Sequence, residues 1–189
     1  MSTHVQTKPL SAAVRLGPTS YLVLGLIGLR GASTPYDLKR AVSRSVSYFW
    51  PFPHSQLYGE PERLAEAGLL SCKSEAGGRH RKVYTLTREG RRALQGWVKS
   101  PTEEIFEMRD IAVLQLFFSE FMSEDDLVTL ALSQGRLYRE RLATYQGIAS
   151  AAGEPRIKRR RMASVHLGIR MMKACIDFWD EVAKNPPEP

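Results

Sequence analysis

Apolar residues along the chain recur mostly at helical spacing, with one short stretch at strand spacing. Leu22, Val23, Leu24, Leu26, Ile27 and Leu29 fill nearly every face of a segment from Pro18 to Arg30. A helix that is apolar all round is a buried helix. Thr34-Pro35 then reads as a start, with a hydroxyl N-cap and proline at the first helical position. The second helix runs to about Arg44, with Leu38, Ala41 and Val42 inward and Lys39, Arg40 and Arg44 outward. A turn rich in Ser, Pro and aromatic residues follows, SVSYFWPFPHS. Ser55 is the expected N-cap of a third helix that ends at Gly68, with Leu57, Pro61 and Leu64 on its buried side. Leu69 to Ser74 and Lys82 to Leu86 read as two strands of a hairpin around AGGRHRK. Thr87 caps one more helix, which stops before Pro101. Three helices, a hairpin and a helix are the order of a winged helix-turn-helix.

Beyond Pro101 the pattern predicts helices alone. One is expected from Glu103 to Met122, a second from Ser123 to about Ala152, and a third from the Gly153/Pro155 break to about Lys184. Ser123 is the expected cap of the second, with Glu124, Asp125 and Asp126 in its first turn. The last helix carries Met162, Val165, Ile169, Met172, Ile176, Trp179 and Ala183 in alternating steps of three and four, the spacing of a coiled-coil seam. Leu167, Met171, Ala174, Phe178 and Val182 form a second stripe. Two stripes need two partners. Ala131, Gly135, Tyr138, Leu142, Tyr145 and Ala149 on the middle helix offer one, and a second copy of the chain is the expected other. Met162, Val165, Ile169, Met172, Ile176 and Trp179 are therefore the expected dimer interface, with an intrachain helical core as the alternative. The fold class is mainly α: an N-terminal winged helix-turn-helix and a C-terminal all-helical dimerisation domain. The expected divisions are a flexible arm over 1–17, the winged domain over 18–100, the helical domain over 101–185 and a disordered tail over 186–189.

Charge sharpens this division. Residues 1–100 hold 15 Lys and Arg against 6 Asp and Glu, a net of +9, whereas residues 101–189 hold 12 against 14, a net of −2. All the excess positive charge lies in the half that carries the winged pattern, which is the footprint of a double-stranded DNA partner. The hairpin tip places Arg79, His80, Arg81 and Lys82 directly after Gly77-Gly78, suited to a phosphate backbone or a minor groove. Residues at the start of the third helix reach base edges in this arrangement. These are His54, Ser55, Gln56 and Tyr58, with Arg63 behind them. Gln56 suits adenine and Ser55 several bases. Lys39, Arg40 and Arg44 are candidates for holding the DNA backbone. Glu60, Glu62 and Glu66 are expected to point away or to pair with Arg63 and other cations. Arg156 to Arg161 is a basic run in an otherwise acidic half, expected to be a solvated face or to pair with Glu103, Glu104 and Glu107.

Candidate chemistry beyond DNA is sparse. The histidines, His4, His54, His80 and His166, are scattered, and no GxSxG, HExxH or phosphate-loop motif occurs. An enzyme is not expected, nor a metal or a cofactor. Cys72 and Cys175 stand far apart, outside any paired-cysteine motif, which suits two free thiols in a reducing compartment. The longest apolar run, Tyr21 to Leu29, is too short to span a bilayer, and the first residues lack the form of a signal peptide. A cytoplasmic location without membrane attachment is the expectation. Tyr138, Tyr145, Phe178 and Trp179 form a candidate pocket for a small aromatic effector. A protein-interaction adaptor built on a winged helix that no longer reads DNA is the alternative function.

The stretches TPYDLKRAV, FWPFPHSQLYGEPERLAEAGLL and GGRHRKVYTLTREGRRALQGWV together resemble the PadR family of winged-helix regulators over about residues 18 to 99. The helical remainder is similar in layout to that family's dimerisation domain. The resemblance implies a homodimer, usually a repressor, that releases operator DNA when a small molecule or another signal arrives. It also implies that Ser55, Gln56, Tyr58 and the wing residues sit at the DNA. One departure matters: family members often carry proline after the tyrosine matched to Tyr58 and leucine at the position of Pro61, where this chain has Gly59 and Pro61. Proline inside a helix removes a hydrogen bond, so a kinked or later-starting third helix is expected.

Overall fold

The structure is a computed structural model, and it describes residues 14–50, 53, 55–74, 81–151 and 156–187. The described residues fall into two compact units that divide between Glu104 and Ile105. The fold is mainly helical, with one antiparallel two-stranded sheet among the described residues.

In the first unit, α1 (Pro18–Arg30) starts where Ser20 Oγ accepts the Gly17 N–H at 3.1 Å. It buries Val23, Leu24, Leu26 and Ile27. Helix α2 (Pro35–Ser43) opens on a full capping box: Thr34 Oγ1 accepts the Asp37 N–H at 3.2 Å, and Asp37 accepts the Thr34 N–H at 3.0 Å. A 3-10 turn, Val46–Tyr48, leads towards α3 (Gln56–Glu66). Ser55 stands in front of α3 in a helical conformation and its hydroxyl makes no capping bond, so the expected cap is not formed. Helix α3 starts at Gln56 and runs on to Glu66 with Pro61 inside it, so it does not begin later than the pattern predicts. Pro61 is tolerated because its ring is buried beside Leu57 and Leu64, where apolar contact offsets the lost hydrogen bond. Gly68, at φ 75°, turns the chain out of α3 in the left-handed region that glycine alone adopts freely.

Strands β1 (Leu70–Ser74) and β2 (Lys82–Leu86) pair antiparallel, with Leu70 opposite Leu86 and Cys72 opposite Tyr84. The hairpin reading leaves out a third participant. Ser33, between α1 and α2, bridges Tyr84 on the free edge of β2. Helix α4 (Arg88–Lys99) is capped by Thr87 Oγ1, which accepts the Gly90 N–H at 3.0 Å and donates to the carbonyls of Gly68 and Leu69 at 2.8 and 2.9 Å. Trp97 on α4 stacks on Tyr21 of α1, with ring centroids 4.6 Å apart and planes 5° from parallel. The core gathers Val23, Leu24, Ile27, Leu38, Val42, Leu57, Leu64, Leu70 and Tyr84. Leu16 packs against it, so the folded unit begins before Pro18, while residues 1–13 of the expected arm lie outside the described residues.

In the second unit the expected helix from Glu103 to Met122 is not formed as one element. Residues 101–110 are irregular, α5 covers only Ile111–Phe117, and a 3-10 turn follows at Ser119–Phe121. The reason is local. Asp110 caps α5 by accepting the Ala112 N–H at 2.8 Å, which sets the start there. Ile105, Phe106 and Met108 upstream are exposed, so no packing supports a longer helix. Helices α6 (Glu124–Ala151) and α7 (Arg156–Lys184) are long and pack along one another. Ser123 caps α6 as expected, its hydroxyl accepting the Asp126 N–H at 3.1 Å while Asp126 accepts in return. The core here is Ala112, Leu127, Ala131, Trp179 and Val182. No described helix is long and apolar enough to cross a membrane.

Candidate nucleic-acid interface

Helix α3 turns Leu57, Pro61 and Leu64 inward, which leaves Gln56, Tyr58, Gly59, Glu62 and Glu66 exposed. Ser55 is exposed at its head. Gln56 Oε1 accepts the Thr19 hydroxyl at 2.9 Å in an exposed contact. His54 lies outside the described residues. Arg63 behaves differently from the others. It donates to both carboxylate oxygens of Glu60, at 2.6 and 2.9 Å, and to Ser20 Oγ on α1 at 3.0 Å. Burial alone pushes the Glu60 carboxyl up, but hydrogen bonds from Arg63 and Ser20 and the Arg63 charge outweigh it and hold the group below its ordinary value. The same bonds raise Arg63 above its own. Arg63 thereby ties α3 to α1 and has few donors left for an outside partner.

The start of β2 is held to both helices of the helix-turn-helix. Lys82 forms an ion pair with Glu62 on α3, and Arg81 one with Asp37 on α2 at 3.5 Å. The hydrogen bond to Glu62 raises the Lys82 ammonium. Asp37 is lowered, first by the hydrogen bonds from Thr34 and then by Arg81. These partners are solvent-exposed pairs, so they orient the cations more than they stabilise the fold. Arg79 and His80, at the expected wing tip, lie outside the described residues. On α2, Lys39, Arg40 and Arg44 are all exposed, and Arg40 lies over the Tyr36 ring, 5.9 Å from its centroid. Exposed cations thus stand on α2 and at the start of β2, with Arg81 and Lys82 paired to Asp37 of α2 and Glu62 of α3. Glu60 pairs with Arg63 and Glu62 with Lys82, as expected of these acids, whereas the pairing of Asp37 with Arg81 was not foreseen from the sequence.

The second unit distributes its aromatic residues otherwise than expected. Trp179 is buried in the core with Leu127 and Ala131, and Ile176 is buried as well, so this end of the seam faces its own chain. Met162, Val165, Ile169 and Met172 are half-buried. The reason is that α6 places Ala131, a small residue, beside Leu127 in the cluster that encloses the indole. Of the expected effector residues, Tyr138 packs against the core cluster that holds Trp179. Tyr138 donates to Asp110 and its phenol is held well above its ordinary value, first by burial and then by that carboxylate. The Tyr145 ring lies flat against Gly168. Phe178 is exposed and meets Trp179 edge-on at 5.2 Å. An open apolar hollow of about 370 Å3 lies elsewhere, lined by Met108, Arg109, Asp110, Ile111, Val113, Leu114 and Phe117. Cys72 and Cys175 are free thiols. Of the expected partners of the basic run, Glu107 pairs with Arg109 instead, and the side chains of residues 156–159 lie outside the described set.

Comparison with known proteins adds to this geometry. Residues 23–96 match the transcriptional regulator PadR-like family, and residues 108–185 match the virulence activator alpha C-terminal family. The negative transcriptional regulator PadR of Bacillus subtilis is 28% identical over 131 residues, 67% of this chain and 70% of that protein. A crystal structure of B. subtilis PadR in complex with operator DNA superposes with a TM-score of 0.79 at 21% identity, covering 87% of this chain and 96% of that one. The same protein in complex with p-coumaric acid gives a TM-score of 0.74 at 21% identity, covering 89% and 97%.

Proposed function

We propose that the chain is a PadR-like transcriptional regulator, as the match of residues 23–96 supports, and that it works as a homodimer that binds an operator of two half-sites and represses transcription until a small aromatic ligand releases it. The observation that carries the DNA reading is the alignment of the wing with α3: Lys82 on Glu62 and Arg81 on Asp37 set two cations beside the exposed face of the helix. In this reading Ser55, Gln56 and Tyr58 meet base edges, with His54 before them. Arg79, His80, Arg81 and Lys82 meet the phosphates or the minor groove, and Lys39, Arg40 and Arg44 hold the backbone. Arg63 is assigned to holding α3 in place, given its bonds to Glu60 and Ser20. Residues 18–100 are the DNA-binding domain and residues 101–185 the dimerisation domain.

The dimer reading draws support from what the second unit leaves uncovered. Ile111, Leu114, Phe117 and Phe121 are exposed at helical spacing along α5 and the turn after it, and Leu167 and Phe178 are exposed on α7. A monomer rarely presents so much apolar surface to water. With Ile176 and Trp179 turned inward, the seam between copies is assigned to these residues, together with the half-buried Met162, Val165, Ile169 and Met172. For the effector, the p-coumaric acid complex of the B. subtilis protein supports a planar aromatic acid, and the hollow lined by Met108, Ile111, Val113, Leu114 and Phe117 is its assigned seat.

A second reading, activation in place of repression, draws on the match of residues 108–185 to the virulence activator alpha C-terminal family. The test of the main reading is a gel-shift series on the DNA upstream of the chain's own gene. Binding that weakens steeply with salt supports it, and a reporter on the same DNA separates repression from activation. A winged helix given over to protein partners would leave every duplex unbound.

A further inference from the structure

On an ordinary helix the residues opposite Leu57, Pro61 and Leu64 form the face presented outward, and Gly59 lies at its middle. The fold draws nothing from a glycine there. Gly59 is not among the glycines with positive φ, and a Cβ built on it meets nothing within 4 Å. Other glycines have a structural reason: Gly31 and Gly68 take positive φ, Gly90 abuts the Leu69 carbonyl, and Gly168 lies under the Tyr145 ring. Within an exposed helix interior glycine is the least favourable residue after proline. Helix α3 already contains a proline, so it carries both. A glycine that neither backbone nor packing needs suits close approach of the backbone to an outside partner.

Openness alone does not distinguish it, because Gly96 and Gly147 are equally unobstructed. What sets Gly59 apart is its surroundings. On one side Gln56 is tethered to Thr19, and on the other Glu62 is tethered to Lys82 of the wing. Two hydrogen-bonded side chains, one turn to either side, flank a patch of bare backbone. Such a shape admits the edge of a base pair nearer to the helix axis than any side chain would allow.

We propose that Gly59 is the position at which the α3 backbone comes nearest the base edges of the major groove, and that its missing side chain sets the depth of the helix in the groove. The proposal rests on the reading of α3 as the recognition helix. Gly59 is a positioning residue: it contributes no hydrogen bond of its own and acts by letting Gln56, Tyr58 and the wing reach their targets together.

The test uses the full chain, duplexes selected from a random pool by the wild-type protein, and the variants Gly59→Ala and Gly96→Ala. Both variants are expected to raise the thermal midpoint. Gly59→Ala is expected to weaken binding to the selected duplex at least tenfold while leaving affinity for a scrambled duplex unchanged, so that specificity falls. Gly96→Ala is expected to bind as the wild type does. Unchanged or tighter specific binding by Gly59→Ala overturns the proposal. So does a lowered thermal midpoint in Gly59→Ala, which would assign the glycine to the fold. If the wild type selects no duplex, the recognition reading itself fails and this proposal with it, an outcome distinct from the other two.

Discussion

Ser33 and Tyr84 exchange both backbone hydrogen bonds: the Ser33 N–H donates to the Tyr84 carbonyl at 3.0 Å, and the Tyr84 N–H to the Ser33 carbonyl at 2.9 Å. The link between α1 and α2 therefore acts as a one-residue third strand on the wing. Ser33 is buried, and its hydroxyl bonds to the Gly31 carbonyl at 2.9 Å. Replacing it with proline removes the donor and leaves a buried acceptor unpaired, which costs about 1–3 kcal/mol. Ser33→Pro is expected to lower the urea midpoint by a corresponding amount and to weaken duplex binding, because the wing loses its register against α2.

Gly90 offers a sharper stability test. A Cβ there would lie 2.1 Å from the Leu69 carbonyl oxygen and 2.9 Å from a Leu86 methyl. The obstacle is backbone, which cannot swing aside, and α4 would have to lift from the wing. Gly90→Ala is expected to destabilise the protein by about 3 kcal/mol, the upper part of the usual range for overpacking. Thermal unfolding measures it, with Gly96→Ala as the unstrained control.

Acid should weaken the first unit through two carboxylates. Glu60 and Asp37 are both held below their ordinary values of 4.5 and 3.8. A carboxylate with a depressed folded pKa contributes stability that is complete above its unfolded value and is lost as pH falls through the folded one. The loss is therefore expected to begin near pH 4.5 and to grow below pH 3.8, with little change between pH 6 and 8 from these groups. Unfolding midpoints measured from pH 7 to 3 should show it, and Glu60→Gln should flatten the upper part of the curve.

Salt dependence reads out the wing directly. Each cation that neutralises a phosphate adds about 0.9 to the slope of log affinity against log salt. Arg81→Ala with Lys82→Ala is expected to lower that slope by about 2 and to weaken binding evenly across sequences. An unchanged slope would place both cations away from the phosphates and leave their pairs with Asp37 and Glu62 as purely structural.

Assembly can be checked on the apolar face of α5. Phe117 and Phe121 are 77% and 88% exposed, too much to belong to a protomer's own core. Phe117→Glu is expected to shift sedimentation from dimer to monomer at micromolar concentration while leaving the helical circular dichroism intact. A variant that stays dimeric would move the interface elsewhere on the helical unit.

Much of the architecture was legible from local chemistry. The Thr34-Pro35 start, the Thr87 and Ser123 caps, the Gly68 stop and the beta-branched and aromatic residues of β2 all act within a few residues, so the pattern alone locates their elements. The candidate interface was legible only as a set of residues. Charge and order singled out Lys39, Arg40, Arg81 and Lys82, but the pairs of Arg81 with Asp37 and of Lys82 with Glu62 join residues 44 and 20 positions apart in the chain.

Residue order by itself settled most of the helical segments, where most of them begin and which half carries the positive charge, because capping, periodicity and composition are properties of neighbours in the chain. Tertiary structure decided the matters in which two apolar or two polar choices were locally equivalent. Both stripes of α7 look alike in sequence, yet it is Trp179 from one and Val182 from the other that pack with Leu127 and Ala131 of α6. A pair between Arg63 and a nearby glutamate was legible in sequence, but its bond to Ser20 on α1 was not. The segment from Glu103 to Asp110 has a helical pattern but nothing to pack on, and an amphipathic segment without a partner surface does not gain enough burial to offset the entropy of ordering it.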